Sequence, residues 1–539
     1  MKNTLYKFTA LAAAVLTAAA CSDLDTYPEG EIVSPEQKEE AIRKDPSLIN
    51  AELTAMNAVL IYCGADNTNN DFDFGYPALC MMYDANGPDF PGIGGGYNWF
   101  SGPALFQRDV ANENDLLIWN TFYKYILAAN SVLEVVPSAE GNPELALARG
   151  YAFAARAFAY LNLVQLYQFN YQDARGLPAV PIVTQLTENV NDNPRQKVED
   201  VYNFLVTDLD SAVNILRGAA PRPDKSYIDL SVALGIRARA RLAMGLWAEA
   251  AADAAEARAS YPLLTLAEAG QPGFNSAEVN SCMWAALISP SNRAVTTAIV
   301  NWPSHMCSLT GAGYAVQVGA WRMISELLFE AIPASDVRKG WWVDEDLRSP
   351  IADNILVGEI PIAEARGFMP YTNVKFGPYQ NIIGNATNAS DWIIMRAEEM
   401  LLIEAEGLAM SGDVGGAKTL LEGWIQANRD ASYACSASTP EQMQNEIWLQ
   451  RRIELWGEGF SWFDIMRLRR NVVRMKGTES NFPDNQKFNV ASDNPIMLWM
   501  IPQDEINGNA GITESDNNPV GIRPQPGDGA GLTDGVVVK

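Results

Sequence analysis

Several stretches of the chain repeat apolar side chains at steps of three and four residues, the spacing of an amphipathic helix. This pattern predicts helices over Asn114–Val136, Glu144–Phe169 and Val198–Arg217. The second of these is rich in alanine on one narrow face, and small residues there would let a neighbouring helix approach closely. The sequence therefore favours a mainly α fold built from packed helices.

Two further segments each predict a pair of helices joined by a tight turn. Leu230–Ala259 turns at Gly245, has Trp247 two residues later and carries alanine at spaced positions. Ile393–Asn428 repeats the arrangement around Gly412 and Asp413. Glycine at the turn, an aromatic soon after it and spaced alanines resemble a tetratricopeptide repeat. We therefore expect a tetratricopeptide-like scaffold of helical pairs with long irregular loop insertions.

Two irregular regions, 67–107 and 270–388, interrupt this helical pattern, and a loop-rich tail covers 471–539. Loops carried by a repeat scaffold are where function concentrates. We expect an N-terminal half over residues 41–269 and a C-terminal half over residues 270–539, knit together as one body.

The N-terminus has the layout of an export signal. Lys2 and Lys7 precede the thirteen mostly apolar residues Phe8–Ala20, which is too short for a membrane-spanning helix of about twenty residues. We interpret residues 1–20 as a signal peptide. Three alanines immediately before Cys21 resemble a lipobox, which implies cleavage there and acylation of Cys21. The acidic segment 21–40 is interpreted as an extended tether.

Charge and composition limit the chemistry of the chain. Its 539 residues carry a net charge of −26 and a pI near 4.5, a field that repels nucleic acid and weakly disfavours anionic polysaccharides. His305 is the single histidine, so no zinc site with two or three histidines can be built. We interpret it as a packing or ligand-edge residue. We expect no metal, no cofactor and no nucleic-acid partner.

The segment Glu446–Arg470 alternates arginine and glutamate with leucine and tryptophan at helical spacing. Part of this charge must then lie beside buried apolar surface, where an unpaired charge is costly. We expect a buried ion-pair cluster, more than a catalytic site. Glu454 and Glu458 would share the guanidinium groups of Arg451 or Arg467. Gly459 would end the helix before a second, short one.

This segment resembles the C-terminal signature of the SusD/RagB family of Bacteroidetes outer-membrane lipoproteins. Gln450 and Ser461 replace charged residues of the family pattern, which would remove one ion pair. The resemblance extends to the start of the mature chain, the helical pairs and the closing segment. The matching signature residues are Arg451, Arg452, Glu454, Leu455, Glu458, Gly459, Trp462, Phe463, Asp464 and Arg467.

Aromatic residues in the irregular regions are the candidates for a ligand site, since flat rings bind the C–H faces of sugars while amides bind their hydroxyls. Tyr97, Asn98 and Trp99 follow three glycines. Core packing is an equal alternative for most of the tryptophans, and ligand contact is favoured for Trp99. The candidate ligand-binding residues are Asp84, Tyr97, Asn98, Trp99, Trp302, Trp321, Arg322 and Trp341.

The family resemblance implies a non-catalytic binding protein. It would be lipid-anchored on the extracellular face of the outer membrane, capture an oligo- or polysaccharide and deliver it to a SusC-like TonB-dependent transporter. Two alternatives stay open. One is peptide capture, a known variant within the family, and the other is a surface-anchored glycoside hydrolase with two carboxylates.

Overall fold

The computed structural model describes residues 34–62 and 70–539, and the predicted signal peptide, Cys21 and Cys63 lie outside those ranges. The fold is mainly α, as the periodicity predicts. Its longer helices span Pro35–Lys44, Ile49–Val59, Tyr76–Asn86, Glu113–Val135, Pro143–Tyr167, Val198–Leu216, Leu230–Met244, Trp247–Arg258, Ala397–Met410, Val414–Asn428 and Pro440–Glu454. Its shorter helices span Ser101–Ala104, Tyr171–Ala174, Leu266–Ala269, Arg293–Thr296, Trp302–Met306, Tyr314–Val318, Glu326–Ala331, Ile362–Ala365, Ser461–Leu468 and Gln503–Gly508.

The strands of the described residues form small antiparallel pairs. Cys282–Ala286 pairs with Trp392–Arg396, and its register is irregular after Cys282 and Trp284. Two further pairs join Leu356–Val357 to Ile360–Pro361 and Val472–Val473 to Asn489–Val490.

Successive long helices pack side by side into a stack. Glu113–Val135 packs on Pro143–Tyr167, which packs on Val198–Leu216. Trp247–Arg258 lies against both Leu230–Met244 and Ala397–Met410, so helices from either side of residue 270 share one core. A Cβ at Gly407 would lie 2.5 Å from the carbonyl oxygen of Trp247. Small residues at this crossing therefore permit the close approach of the two helices.

Two predicted boundaries are wrong. Residues 393–396 belong to the strand Trp392–Arg396, so the helix of that pair begins at Ala397. The pairing with Cys282–Ala286 is non-local and overrides the helical spacing. At the other end of the chain, a helix begins at Pro35, inside the segment 21–40 that was expected to be extended. Ser34 and Gln37 form a capping box there, and this stabilises the first turn.

The predicted buried ion-pair cluster is present, but its partners differ from those expected. Glu454 accepts hydrogen bonds from Arg396 at 2.8 Å and Arg429 at 2.7 Å, and Arg338 lies 3.2 Å away. Glu458 pairs with Arg396 at 2.8 Å and with Lys375 at 2.7 Å. The prediction was wrong because these partners come from distant segments, which helical spacing within the signature cannot reveal.

The arginines of the signature have other partners. Arg451 contacts Asp464 at 2.7 Å, and Arg467 contacts Asp464 and Glu406. The Oε1 of Gln450 accepts a hydrogen bond of 2.6 Å from Arg338. The amide at position 450 therefore keeps a contact with the cluster although it carries no charge.

Gly459 separates the helices Pro440–Glu454 and Ser461–Leu468. Its φ of +86° lies in the left-handed region, and a Cβ there would come within 2.5 Å of the Cβ of Cys80. Glycine is required at this position for both reasons. The same turn brings the backbone N–H of Gly459 to Asp84 at 2.8 Å.

Candidate functional site

The structure places three of the candidate tryptophans in the core. Trp302, Trp321 and Trp341 are at most 2% exposed, and each indole N–H donates to a backbone carbonyl, of Ser390, Gly367 and Ala269 respectively. The expectation that these residues form exposed platforms is wrong. These parts of the irregular region 270–388 pack into the core, so the three tryptophans are buried although they lack helical periodicity.

Asp84 is also buried, with 3% of its surface exposed. Its carboxylate accepts backbone N–H groups from Gly459 and Ser461, at 2.8 and 3.3 Å. Burial raises the pKa of Asp84 to about 7. The residue joins the helix Tyr76–Asn86 to the C-terminal signature, and this position corrects the expectation that it contacts a ligand.

Asn98 and Arg322 form a buried clamp beneath the first irregular region. The Oδ1 of Asn98 accepts a hydrogen bond of 2.7 Å from the Nη1 of Arg322, and its Nδ2 donates to the carbonyl of Ile93 at 2.8 Å. The two residues are 4% and 2% exposed. Burial lowers the pKa of Arg322 to about 10. These groups position the neighbouring loop, and as buried groups they do not line its surface.

Tyr97 and Trp99 flank this clamp and reach the surface to different extents. Tyr97 is 51% exposed, whereas Trp99 is half-buried and packs on the core. Gly95 and Gly96 immediately before them have open space around them. An exposed aromatic ring is therefore present at Tyr97, whereas the amide of Asn98 is turned inward.

Tyr314 is buried, with 7% of its surface exposed, and it backs Tyr97 and Trp99 in an aromatic patch. The ring centroids of Tyr97 and Tyr314 are 5.6 Å apart with an interplanar angle of 32°, and Trp99 meets Tyr314 edge-on at 6.0 Å. Tyr314 lies at the start of the helix Tyr314–Val318, in the second irregular region. Sequence reasoning missed this residue. The available signal was an aromatic residue directly after Gly313 in a loop.

His305 and Asp71 hold Tyr314 from behind. The imidazole of His305 stacks on the Tyr314 ring at 4.9 Å and on Phe74 at 5.4 Å. Its Nε2 donates to the carbonyl of Asp71 at 2.8 Å, and the Tyr314 hydroxyl donates to the Asp71 carboxylate. Burial, together with the nearby Arg322, lowers the pKa of His305 to about 3. The low pKa favours the neutral imidazole, which packs between two rings, the first of the two roles expected from the sequence.

The described residues supply no evident metal centre. Within residues 34–62 and 70–539, no group of three or more His, Cys, Asp or Glu side chains could hold a metal ion. In the same ranges, none of the helices has the length and apolar character needed to cross a membrane. Cys21, the expected lipidation site, lies outside them.

Two family models match the chain. The SusD family model matches residues 355–520, and a model described as starch-binding associating with outer membrane matches residues 97–230. The second match contains Tyr97 and Trp99. A SusD-like protein of Formosa agariphila is 22% identical over 420 residues, which cover 69% of this chain and 77% of that protein. A SusD-like protein of Bacteroides ovatus is 25% identical over 45% of this chain and 40% of its own length.

Solved structures share the fold. A SusD-like carbohydrate-binding protein from Bacteroides vulgatus superposes with a TM-score of 0.72 at 24% identity, covering 91% of this chain and 99% of that one. A laminarin-binding SusD-like protein superposes with a TM-score of 0.62 at 17% identity, covering 88% of this chain and 99% of its own. At these identities the likeness establishes the architecture.

Proposed function

This chain belongs to the SusD-like family, whose models match residues 97–230 and 355–520, and from that membership we propose that it is a non-catalytic glycan-binding lipoprotein of the cell surface. It captures an oligo- or polysaccharide and delivers it to a SusC-like TonB-dependent transporter in the outer membrane. The observation that carries the proposal is the aromatic patch of Tyr97, Trp99 and Tyr314.

The patch has the chemistry of a sugar-binding surface. Aromatic faces pack against the apolar C–H faces of a sugar ring. This contact requires an exposed aromatic side chain whose ring is held in a fixed orientation. Tyr97 is half exposed and lies over Tyr314. His305, Phe74 and the Arg322–Asn98 clamp fix the supporting side chains. Such preorganisation lowers the entropy cost of binding.

The charges near the patch favour a neutral glycan. The Arg322 guanidinium is buried and bonded to Asn98, so it offers no cation to solvent. The chain as a whole carries a net charge of −26, which repels anionic polysaccharides at a distance. The name of one matching family model refers to starch, and one structural relative binds laminarin. These two neutral glucans are therefore the first probes.

Binding without turnover also agrees with the roles of Asp71, beside the patch, and of Asp84, beside the C-terminal signature. Asp71 accepts the Tyr314 hydroxyl, and Asp84 is buried between two backbone N–H groups. A glycosidase needs two carboxyl groups facing the scissile bond. The interactions of Asp71 and Asp84 are structural, and this supports a binding role over hydrolysis.

Anchoring and delivery are proposed from the N-terminal sequence and from the family resemblance. Acylation at Cys21 would hold the protein at the membrane through its lipid alone, because each buried CH₂ of an acyl chain contributes about 0.8 kcal/mol. The expected location is the extracellular face of the outer membrane. Co-purification of a TonB-dependent transporter with the tagged, lipidated protein from outer membranes tests the partnership.

One experiment separates the three functions. The protein is run in native gels containing starch, laminarin or another neutral polysaccharide, and the same mixtures are assayed for new reducing ends. We expect retarded migration without turnover. New reducing ends would make the protein a glycoside hydrolase. Migration unaffected by any polysaccharide, with measurable binding to a peptide library, would make it a peptide-binding member of the family.

A further inference from the structure

The surface also carries a cleft that shares no residue with the aromatic patch. This polar cleft has a volume of about 830 Å³ and is lined by residues from five chain segments, 264–268, 271–280, 288–290, 379–381 and 389–391. Its size falls within the range of about 300–1,000 Å³ that is typical of ligand-binding clefts. Its polar and aromatic lining includes Gln271, Asn275, Asn280, Tyr379, Gln380 and Asn381.

Hydrogen bonds fix the floor of the cleft. The backbone N–H of Gly273 donates to Lys375 at 2.9 Å, and that of Gly377 donates back to Gly273 at 2.8 Å. The Nδ2 of Asn275 donates to the carbonyl of Pro378 at 2.6 Å and to Asn381 at 2.9 Å. These bonds join segment 271–280 to residues 375–381 without a regular sheet. The cleft is therefore a preformed feature of the fold.

Asp391 joins segment 288–290 to segment 271–280 through backbone hydrogen bonds. One of its carboxylate oxygens accepts the N–H of Ala277 and the other accepts the N–H of Ile288, both at 2.9 Å. Its own N–H donates to the carbonyl of Asn275 at 3.0 Å. Both oxygens of this carboxylate thus carry structural bonds.

The backbone of the cleft is strained at three positions. Phe274, Gln380 and Asn381 have φ values of 57°, 58° and 57°, although none of them is glycine. Left-handed conformations of such residues are energetically unfavourable, and they concentrate at ligand clamps and active sites. Gln380 and Asn381 are exposed on the rim while Asn275 is buried in the floor. Two of the three strained residues, Gln380 and Asn381, therefore carry side-chain amides at the mouth of the cleft.

The lining has the chemistry of a neutral, hydroxyl-rich ligand. Amides and hydroxyls can both donate to and accept from sugar hydroxyls, and Tyr379 is half-buried, with part of its surface open to solvent. The charged residues that line the cleft, within the described part of the chain, are Glu268, Glu278 and Asp391, with no lysine, arginine or histidine among them. An anionic sugar would meet these carboxylates without a compensating cation.

We propose that the polar cleft is a second glycan-binding site, which takes a neutral segment of the same polysaccharide that the aromatic patch binds. This inference rests on the proposed glycan-binding function and extends it. Two sites on one rigid body would raise the affinity for a long chain above that of either site, because the second contact is intramolecular. A short oligosaccharide would instead occupy the two sites independently.

The test compares variants of the two sites in the full-length protein. Tyr379→Ala removes the cleft aromatic, and Gln380→Gly removes an amide at a left-handed position where glycine fits without strain. Tyr97→Ala disables the patch. Tyr62→Ala is the matched control, because Tyr62 is 45% exposed and lines neither site. Each variant is titrated calorimetrically with maltoheptaose and laminarihexaose, and its migration is measured in gels with starch and laminarin.

We expect two oligosaccharides per wild-type chain and one per chain for Tyr379→Ala and for Tyr97→Ala. Gln380→Gly should weaken the cleft site at least fivefold without lowering the melting temperature. Polysaccharide affinity should fall at least fivefold in each single aromatic variant. One site per wild-type chain, unchanged by Tyr379→Ala and Gln380→Gly, would overturn the second site while leaving the proposed function standing. An absence of binding to every neutral polysaccharide would overturn the proposed function, and this inference with it.

Discussion

The Nη1 of Arg322 donates a hydrogen bond of 2.7 Å to the Oδ1 of Asn98, across 224 residues of the chain. This bond joins the two irregular regions that the helical pattern leaves unassigned. Gly92 makes room for it, since a Cβ at that position would lie 2.4 Å from the same Nη1. The bond lies directly behind Tyr97 and Trp99, so the shape of the aromatic patch depends on it.

Asn98→Ala should therefore destabilise the protein and weaken glycan binding together. The change leaves the buried guanidinium of Arg322 without its acceptor, and the loss of a hydrogen bond to a charged group costs about 1.5–3 kcal/mol. Asn98→Asp keeps an acceptor for Arg322 and should restore most of the stability. Thermal melts and calorimetric titration with an oligosaccharide measure both effects. Lost binding at an unchanged melting temperature would instead show that Asn98 contacts the ligand.

The buried ion-pair cluster predicts a large stability effect without a specific binding effect. Glu454→Ala removes the shared partner of Arg338, Arg396 and Arg429, and breaking a buried pair costs about 3–5 kcal/mol. Glu256→Ala is the control, because its pair with Arg217 is solvent-exposed and surface pairs contribute little. Denaturant unfolding should show a lower midpoint for the first variant only. Equal unfolding midpoints for the two variants would show that the ion pairs of Glu454 do not stabilise the core.

The same cluster sets the acid sensitivity of the fold. Burial alone would raise the pKa of Glu454, but Arg429 and Arg396 outweigh it and hold that pKa well below its usual range. A carboxyl whose pKa is lower in the folded state stabilises the fold above its unfolded pKa, and this contribution is lost as the pH falls. The wild-type melting temperature should decline in acid. Glu454→Gln, which cannot titrate at this position, should show a shallower decline.

Helical periodicity predicted the scaffold closely because local side-chain spacing determines which face of each helix is buried. Val198–Arg217 was predicted and Val198–Leu216 is observed. The ion-pair cluster was also expected from its composition. Its partners were not, because Arg396 and Arg429 reach Glu454 from 58 and 25 residues away in the chain.

Sequence reasoning was weakest for the irregular regions, where burial depends on contacts between distant segments. Trp341 and Tyr97 both lie in loops without helical spacing, yet one is fully buried and the other half exposed. The hydrogen bond from Trp341 to the carbonyl of Ala269 spans 72 residues, and no local pattern indicates it. For the same reason Tyr314, which joins the patch through its ring contacts with Tyr97 and Trp99, was overlooked.

Asp84 should make stability depend on pH in the opposite direction to Glu454. Burial raises its pKa to about 7, above the value of about 3.9 for an unfolded chain. The folded state then binds the proton more tightly, so the contribution of this group to stability falls as the pH rises from about 4 to 7 and is constant above. The stability difference between wild type and Asp84→Asn should therefore shift in favour of the variant from pH 5 to pH 8. If thermal melts give the same stability difference between wild type and Asp84→Asn at pH 5 and at pH 8, the pKa of Asp84 is not raised by burial.

Cys21→Ala should release the protein from the membrane without unfolding it. The described fold begins at Ser34, beyond the expected acylation site, and the core contacts of the described residues join side chains from Ile42 onward. Fractionation of cells should move the variant to the soluble fraction, and the melting temperature of the purified protein should equal that of the wild type after removal of the lipid. Retention of the variant in the membrane fraction would contradict the lipid anchor.

Truncation of Tyr97 and truncation of Trp99 to alanine should have different effects on the melting temperature, although the two residues are close in the chain. Tyr97 is 51% exposed, so Tyr97→Ala leaves no cavity and should preserve the melting temperature. Central aromatic contacts often carry about 2 kcal/mol or more of binding free energy, which predicts a loss of glycan affinity of more than tenfold.

Trp99 is half-buried and packs on the core, with its ring edge-on to Tyr314. Trp99→Ala should therefore lower both the affinity and the melting temperature, with a stability loss below the roughly 3–5 kcal/mol of a fully buried tryptophan. Trp99→Phe retains an aromatic ring and should recover most of the stability and part of the affinity. Calorimetric titration and thermal melts of the three variants, with Tyr62→Ala as the exposed control, measure the difference. If Tyr97→Ala binds glycan as tightly as the wild type while Trp99→Ala unfolds, the patch is packing and the polar cleft becomes the main binding site.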